Sequence, residues 1–180
     1  MTDLRLRLAT VDDLEAMNSI YNHYVLNSVT TYQEDPESIE SRRRWFARHG
    51  GKHPVTVAMH ERAVIGWSSL SPFHTRSAYR HTVKNAVYVH PDHHRRGVGV
   101  ALLTDLIERA RAAGHHAIIA EIDSQQIASI GLHKKMGFVE AAHLREVGRK
   151  FECWLDVYYM QKIISPPPPS SLPRPSSPSR

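Results

Sequence analysis

Two glycines, two arginines and three histidines crowd into one short stretch of this chain, His90-Pro91-Asp92-His93-His94-Arg95-Arg96-Gly97-Val98-Gly99-Val100. An apolar run, Val87-Tyr88-Val89, precedes it, and Leu102, Leu103, Leu106, Ile107 and Ala110 follow at helical spacing until Gly114. A strand, a basic turn and a helix start therefore meet here. Glycine lets backbone N–H groups converge into a concave turn, and a helix N-terminus adds unpaired donors and a positive dipole end. Arg95 and Arg96 add charge, so the turn suits a pyrophosphate, although an ordinary strand-to-helix turn shares the local pattern. A Walker loop is excluded because no Gly-Lys-Ser/Thr follows, and a dinucleotide fingerprint because G-x-G-x-x-G is absent. His90, His93 and His94 form H-x-x-H-H without a carboxylate pair or cysteine beside them, and the chain holds 13 histidines. Chance clustering accounts for them, and no metal is expected.

The elements that must position this turn follow from hydrophobic period. Leu4-Arg5-Leu6-Arg7-Leu8 alternates as a half-buried strand does. Thr10 is placed to cap a helix with Asp12 and Asp13 in its first turn and an apolar stripe of Leu14, Met17, Tyr21, Tyr24 and Val25. A second helix is predicted to begin near Asp35-Pro36, to carry Ile39, Trp45 and Phe46, and to end at Gly50-Gly51. Residues 54–59 and 63–70 read as a hairpin around His60-Glu61-Arg62. A polar loop over 71–80 leads to a strand over 83–90. Residues 117–122 read as a buried strand, 126–136 as a helix, and 138–146 and 151–164 as strands. The order is strand, two helices, three strands, helix, strand, helix, two strands, which makes an α/β (α+β) layered domain over 1–164. Residues 165–180, with prolines at 166–169, 173, 175 and 178 among serines, are expected to form an extended appendage.

Bulk properties narrow the partners. A chain of 180 residues suits one domain with a real core. Apolar runs such as 117–120 are too short to cross a bilayer, and Asp3, Arg5 and Arg7 leave no apolar leader segment. Cys153 is the single cysteine, so no internal disulfide forms and a cytoplasmic location is expected. The formal charge is +5, and Arg42-Arg43-Arg44 reads as a solvated face. With no aromatic RNA motif and no zinc-finger spacing, neither nucleic acid nor membrane is expected as a partner.

Several pieces in a fixed succession now carry a resemblance. They are Tyr21-Asn22-His23-Tyr24, Thr82-Val83 with Val87-Tyr88-Val89, the turn at 94–99, Ala128-Ser129-Ile130-Gly131-Leu132-His133, Met136-Gly137-Phe138, and Lys150-Phe151 with Trp154-Leu155-Asp156-Val157. In this order the sequence resembles the GNAT acetyltransferases, and within them the phosphinothricin and methionine sulfone N-acetyltransferase branch, from about residue 4 to 164. The resemblance implies a GNAT fold, a mostly antiparallel twisted sheet of about seven strands flanked by helices. It implies an acetyl-CoA-dependent N-acetyltransferase that acylates the amino group of a small amino acid or analogue of the phosphinothricin, methionine sulfone or sulfoximine type. It also implies a homodimer with the last strands near the interface.

Position by position, the resemblance has the backbone of Val87 and Val89, flanking Tyr88, pair with the pantetheine arm. Arg95, Arg96, Gly97, Val98, Gly99 and Val100 would hold the pyrophosphate. Gln126 stands where the family places a cofactor-contacting asparagine. Ser129 and His133, at i and i+4, would share a face towards the thiol. His133 occupies the position of a tyrosine that protonates the leaving thiolate in many members, with a packed helix histidine as the plain alternative. The acceptor side would draw on His74, Thr75, Arg76, Tyr79 and Asn85. Arg76 either grips a carboxylate or phosphinate bidentately or is an exposed loop arginine.

One residue departs from the pattern. The family carries a glutamate at position 84, read as the base for the attacking amine, and this chain has Lys84. An α-amino group is mostly ammonium at neutral pH and cannot attack a thioester until it loses a proton. Three readings stand: Glu121 on the next strand pairs with Lys84 and supplies the carboxylate; Lys84 binds an acidic substrate group while water takes the proton; or the protein binds the cofactor and transfers poorly. Lys84, Glu121 and His133 are thus the catalytic candidates. The rival functions are acetylation of a protein N-terminus or other amine, and acyl-CoA binding without catalysis.

Overall fold

The computed structural model describes residues 3–164. One sheet of seven strands organises them: β1 (Leu4–Leu8), β2 (Val55–His60), β3 (Ala63–Pro72), β4 (Thr82–Val89), β5 (Ala117–Asp123), β6 (Val139–Lys150) and β7 (Cys153–Ile163). Their spatial order is β1-β2-β3-β4-β5-β7-β6, antiparallel throughout except for the parallel pair β4–β5. Four helices flank it: α1 (Leu14–Asn27), α2 (Ile39–Phe46), α3 (Val98–Ala112) and α4 (Ile127–Lys135). This is the predicted GNAT architecture. The tail predicted over 165–180 lies outside the described residues.

Strand alternation sends side chains to two cores. Leu103, Leu106, Ile107 and Ala110 of α3 pack on Val83, Ile118, Ala120 and Ile122, with Phe138 and Met160 closing the cluster. Burying each large aliphatic side chain here contributes roughly 1.5–3 kcal/mol. On the other face, Leu14, Met17 and Ile20 of α1 pack on Val55, Val57 and Trp67. Tyr88 joins this second side, edge-on to Tyr21 at 5.4 Å between ring centroids.

Three local expectations need correction. The second helix does not start at Pro36: Ser38 is its N-cap, with its hydroxyl accepting from the Ser41 N–H, so the loop before it is longer. A serine that satisfies an orphan amide outweighs a proline that merely tolerates the position. The arginine triplet is not one solvated face: Arg43 and Arg44 are exposed, but Arg42 is 2% exposed. Its guanidinium pairs with Glu37 and lies 4.5 Å from the Tyr21 ring centroid, which a planar, weakly hydrated cation tolerates. Finally, β6 runs on to Lys150 instead of stopping at 146, and the hairpin turns at Phe151-Glu152. Its residues are exposed nearly throughout because it is the sheet's outer edge, which hides the alternation on which strand prediction relies.

Candidate functional site

The parallel pair is where the sheet opens. β4 and β5 are paired at Thr82↔Ala117, Val83↔Ile118 and Lys84↔Ile119, and the register ends there. β4 continues to Val89 against β3 alone. The His90 N–H donates to the Ile65 carbonyl of β3, so alternation turns the polar groups of Tyr88 towards β3 and those of Val87 and Val89 towards the gap. A cleft of about 510 Å³ occupies this opening. Lys84, Asn85, Val87 and Tyr88 line it from β4, Glu121 from β5, and Gln126, Ser129 and His133 from one face of α4 and its N-cap.

The basic turn stands at the open end of the gap. Gly97 is the N-cap of α3 at φ 82°, a left-handed conformation that costs a non-glycine residue roughly 1 kcal/mol or more. The N–H groups of Val98, Gly99 and Val100 occupy the first helical turn, where no intrahelical acceptor exists. Arg95, Arg96 and Gly97 are exposed beside them. At Gly99 an added Cβ would sit 3.3 Å from Leu132 of α4 and 3.8 Å from Val89, so a small residue lets the turn approach both strand and helix. The turn is moored from α1: the Tyr24 hydroxyl donates to the Val89 carbonyl and accepts from His94 Nε2 at 2.7 Å. Burial pushes the Tyr24 pKa up to about 12, which keeps the hydroxyl protonated for this bond. The expected strand-like pairing at Val89 is therefore reduced to its N–H, since its carbonyl is already engaged.

At the apex of the gap Lys84 Nζ lies 3.3 Å from Glu121 Oε2, both about one-third exposed. Tyr159, the register partner of Glu121 on β7, stands beside that carboxylate. Burial, then the Glu121 charge, holds the Tyr159 hydroxyl above the usual tyrosine range. A carboxylate flanked by an ammonium and a phenol thus faces the cleft.

Across the sheet, His133 Nδ1 lies 2.8 Å from the Ser129 carbonyl. A carbonyl only accepts, so Nδ1 carries the proton and Nε2 of the neutral ring is an acceptor. Asn85 Nδ2 donates to it at 2.9 Å. Burial lowers the His133 pKa, so the ring stays neutral at pH 7. This arrangement leaves no proton on Nε2 to give, and the geometry makes His133 a support for Asn85. With its amide fixed, Asn85 Oδ1 is buried and has no hydrogen-bond partner among the described residues. Such an orphaned acceptor, a parted sheet edge and unpaired helix-start amides together fit a phosphorylated, amide-bearing cosubstrate such as acetyl-CoA.

The predicted acceptor loop is not brought to the cleft. His74, Thr75, Arg76 and Tyr79 are exposed on the β3–β4 connection, where the Tyr79 ring lies edge-on to Phe73 and tilted against His74. The cleft wall on that side comes from Thr30, Thr31 and Tyr32 of the α1–α2 connection, and from Tyr159. Sequence reasoning missed these because an irregular loop has no period to read and Tyr159 looks like any strand aromatic. Two of the three histidines of the turn have separate partners: His94 binds Tyr24, and His90 accepts from the Asp92 N–H, while the His93 ring lies near those of His60 and His90.

Comparison with known proteins agrees with this geometry. The acetyltransferase (GNAT) family profile matches residues 17–138. An L-amino acid N-acyltransferase of Escherichia coli (strain K12) is 40% identical over 159 residues, covering 88% of this chain and 92% of that protein. An L-methionine sulfoximine/L-methionine sulfone acetyltransferase of Pseudomonas aeruginosa is 40% identical over 165 residues, covering 89% and 95%. The crystal structure of a GNAT superfamily phosphinothricin acetyltransferase from Sinorhizobium meliloti in complex with acetyl-CoA superposes with a TM-score of 0.86 at 37% identity, covering 89% of this chain and 88% of that one.

Proposed function

This chain belongs to the acetyltransferase (GNAT) family and is an acetyl-CoA-dependent N-acetyltransferase, and from that premise we propose that its acceptor is a small amino acid or analogue of the methionine sulfone, methionine sulfoximine or phosphinothricin kind. Bound acetyl-CoA supplies the thioester. The N–H groups of Val98, Gly99 and Val100, with Arg95 and Arg96, hold its pyrophosphate, and the polar edge of Val87 with the Val89 N–H takes the pantetheine arm. Gln126 and Ser129 flank that arm from α4, and His133 acts through Asn85. Strand N–H groups at the gap face the carbonyl on which negative charge develops.

The observation that carries the chemistry is the Lys84–Glu121 pair at the apex of the cleft. Glu121 takes the proton from the acceptor's ammonium, in the place of the glutamate that position 84 lacks. Lys84 orients that carboxylate, and the amine attacks directly in a ternary complex. A thiol-release assay across amino-acid analogues tests the reading: wild type turns over the sulfone, sulfoximine or phosphinothricin, and protein N-termini are poor acceptors. The reverse preference, or acetyl-CoA binding without acceptor-stimulated thiol release, overturns it.

The same reading places the protein in the cytoplasm as a homodimer. Its support is the exposed Cys153, which suits a reducing compartment, and an outer β6–β7 hairpin where Val139, Val147 and Trp154 are 65%, 53% and 62% exposed. Light scattering on the purified chain checks it, and a monomer at micromolar concentration refutes the dimer.

A further inference from the structure

The connection between α1 and α2 carries neither helix nor strand, yet its Thr30, Thr31 and Tyr32 form a wall of the cleft. Such a segment has no ladder to satisfy its carbonyls or fix its shape. Here two carbonyls are held from the far end of the domain. Lys150 Nζ donates to Ser28 and to Thr31, each at 2.8 Å. Lys150 is 1% exposed. Among the described residues its ammonium meets these carbonyls and, at 4.9 Å, the Phe151 ring, but forms no carboxylate ion pair. Burial lowers its pKa, with Glu34 opposing at longer range. Burying an ammonium without a counterion is unfavourable, and an aliphatic residue fills the same volume without that penalty. What the lysine adds is donors that bridge two points of an irregular loop.

Two further features of the β6–β7 hairpin converge on this loop. The Tyr32 hydroxyl donates to Asp123 at 2.8 Å and to the Asp156 carbonyl at 3.2 Å. The ring lies so close to Gly148 that an added Cβ would stand 2.5 Å from one of its carbons. The hairpin turns directly after Lys150 through Phe151 and Glu152, both left-handed at φ 50° and 61° without being glycine. A two-residue loop with both residues left-handed is the hairpin connection that matches strand twist, and it sets Lys150 at the very end of β6.

We propose that Lys150 is a positioning residue that shapes the acceptor wall at Thr30–Tyr32, with Gly148 backing Tyr32, and so governs acceptor binding and not acetyl-CoA binding. This rests on the amino-acid acetyltransferase reading. With methionine sulfone as acceptor, Lys150→Met raises the acceptor KM about tenfold or more while the acetyl-CoA KM stays within about threefold. Lys150→Arg recovers part of the loss, because a guanidinium also bridges two carbonyls. Hydrogen exchange accelerates over residues 28–36 of Lys150→Met and is unchanged in α3. An unchanged acceptor KM, or exchange that rises evenly over the whole domain, overturns the proposal. Should Lys150→Met not fold, Gly148→Ala presses on Tyr32 from behind: a raised acceptor KM supports the assignment and an unchanged one in the folded variant refutes it. If the wild type acetylates no amino-acid analogue, the functional reading falls, while the exchange contrast between the Lys150 variants and wild type still decides the clamp.

Discussion

On the α3–α4 side of the cleft the donors are main-chain groups: the strand edge at Val87 and Val89 and the first-turn amides after Gly97. On the α1–α2 side the groups are side chains drawn from distant elements. Lys84 meets Glu121 across the parted strands, and Tyr159 reaches the same carboxylate from β7. The backbone side binds through repeating geometry that any apolar side chain tolerates, so its identity survives in glycine placement. The side-chain side depends on which residues stand at single positions, so one substitution, such as lysine at 84, redistributes roles. A cosubstrate shared by many acetyltransferases is met by the first kind of surface and a variable acceptor by the second.

Variants on each side separate the two. Glu121→Gln leaves acetyl-CoA affinity intact and lowers kcat on the order of a hundredfold, the usual scale for a lost general base; an unchanged kcat, read by thiol release at saturating acetyl-CoA, removes Glu121 from proton transfer. Gly99→Val forces the new side chain against Leu132 and Val89. It raises the acetyl-CoA Kd about tenfold by calorimetry with little change in acceptor KM, and equal effects on both ligands would dissolve the contrast. Tyr24→Phe removes the hydroxyl that moors His94 and the Val89 carbonyl. A loss of about threefold in acetyl-CoA affinity is expected for one neutral hydrogen bond outside direct ligand contact.

The smallest effect is in stability. Burial holds the His133 pKa below its unfolded value, so the unfolded chain binds the proton first as pH falls through about 6.5. Stability from this residue is present above that pH and declines below it until the folded ring also protonates. Denaturant melts at pH 7.5 and 5.5 show a decline that is smaller, by about 1 kcal/mol or less, in His133→Phe. An identical decline in both proteins means that the ring titrates normally and that Asn85 is not fixed by a neutral imidazole.

Much of the fold was legible in order. The helical spacing of Leu102, Leu103, Leu106, Ile107 and Ala110 and the buried run at 117–122 matched α3 and β5 closely, because a buried face imposes its period on the residues that fill it. The Lys84–Glu121 contact was one of three readings left open, and it forms because Glu121 lies two residues beyond Ile119, the register partner of Lys84 on β5. What failed were sites where exposure or irregularity erases period. The outer strand β6 was cut short, Arg42 was read as solvated, and the loop at 74–79 was assigned a wall that Thr30–Tyr32 form instead.

Residue types and spacing alone therefore determined the layered sheet and the glycine turn at a helix start, and the succession of motifs carried the resemblance to the family. Only the tertiary structure decided that His133 faces Asn85 as a neutral acceptor, that Tyr159 stands beside Glu121 and that Lys150 reaches back to Ser28 and Thr31. Local pattern is written within a few residues of itself and survives in the chain. Partnerships across more than a hundred residues, such as that of Lys150 with the α1–α2 loop, are fixed by where the sheet parts and the hairpin turns, and no local spacing encodes them.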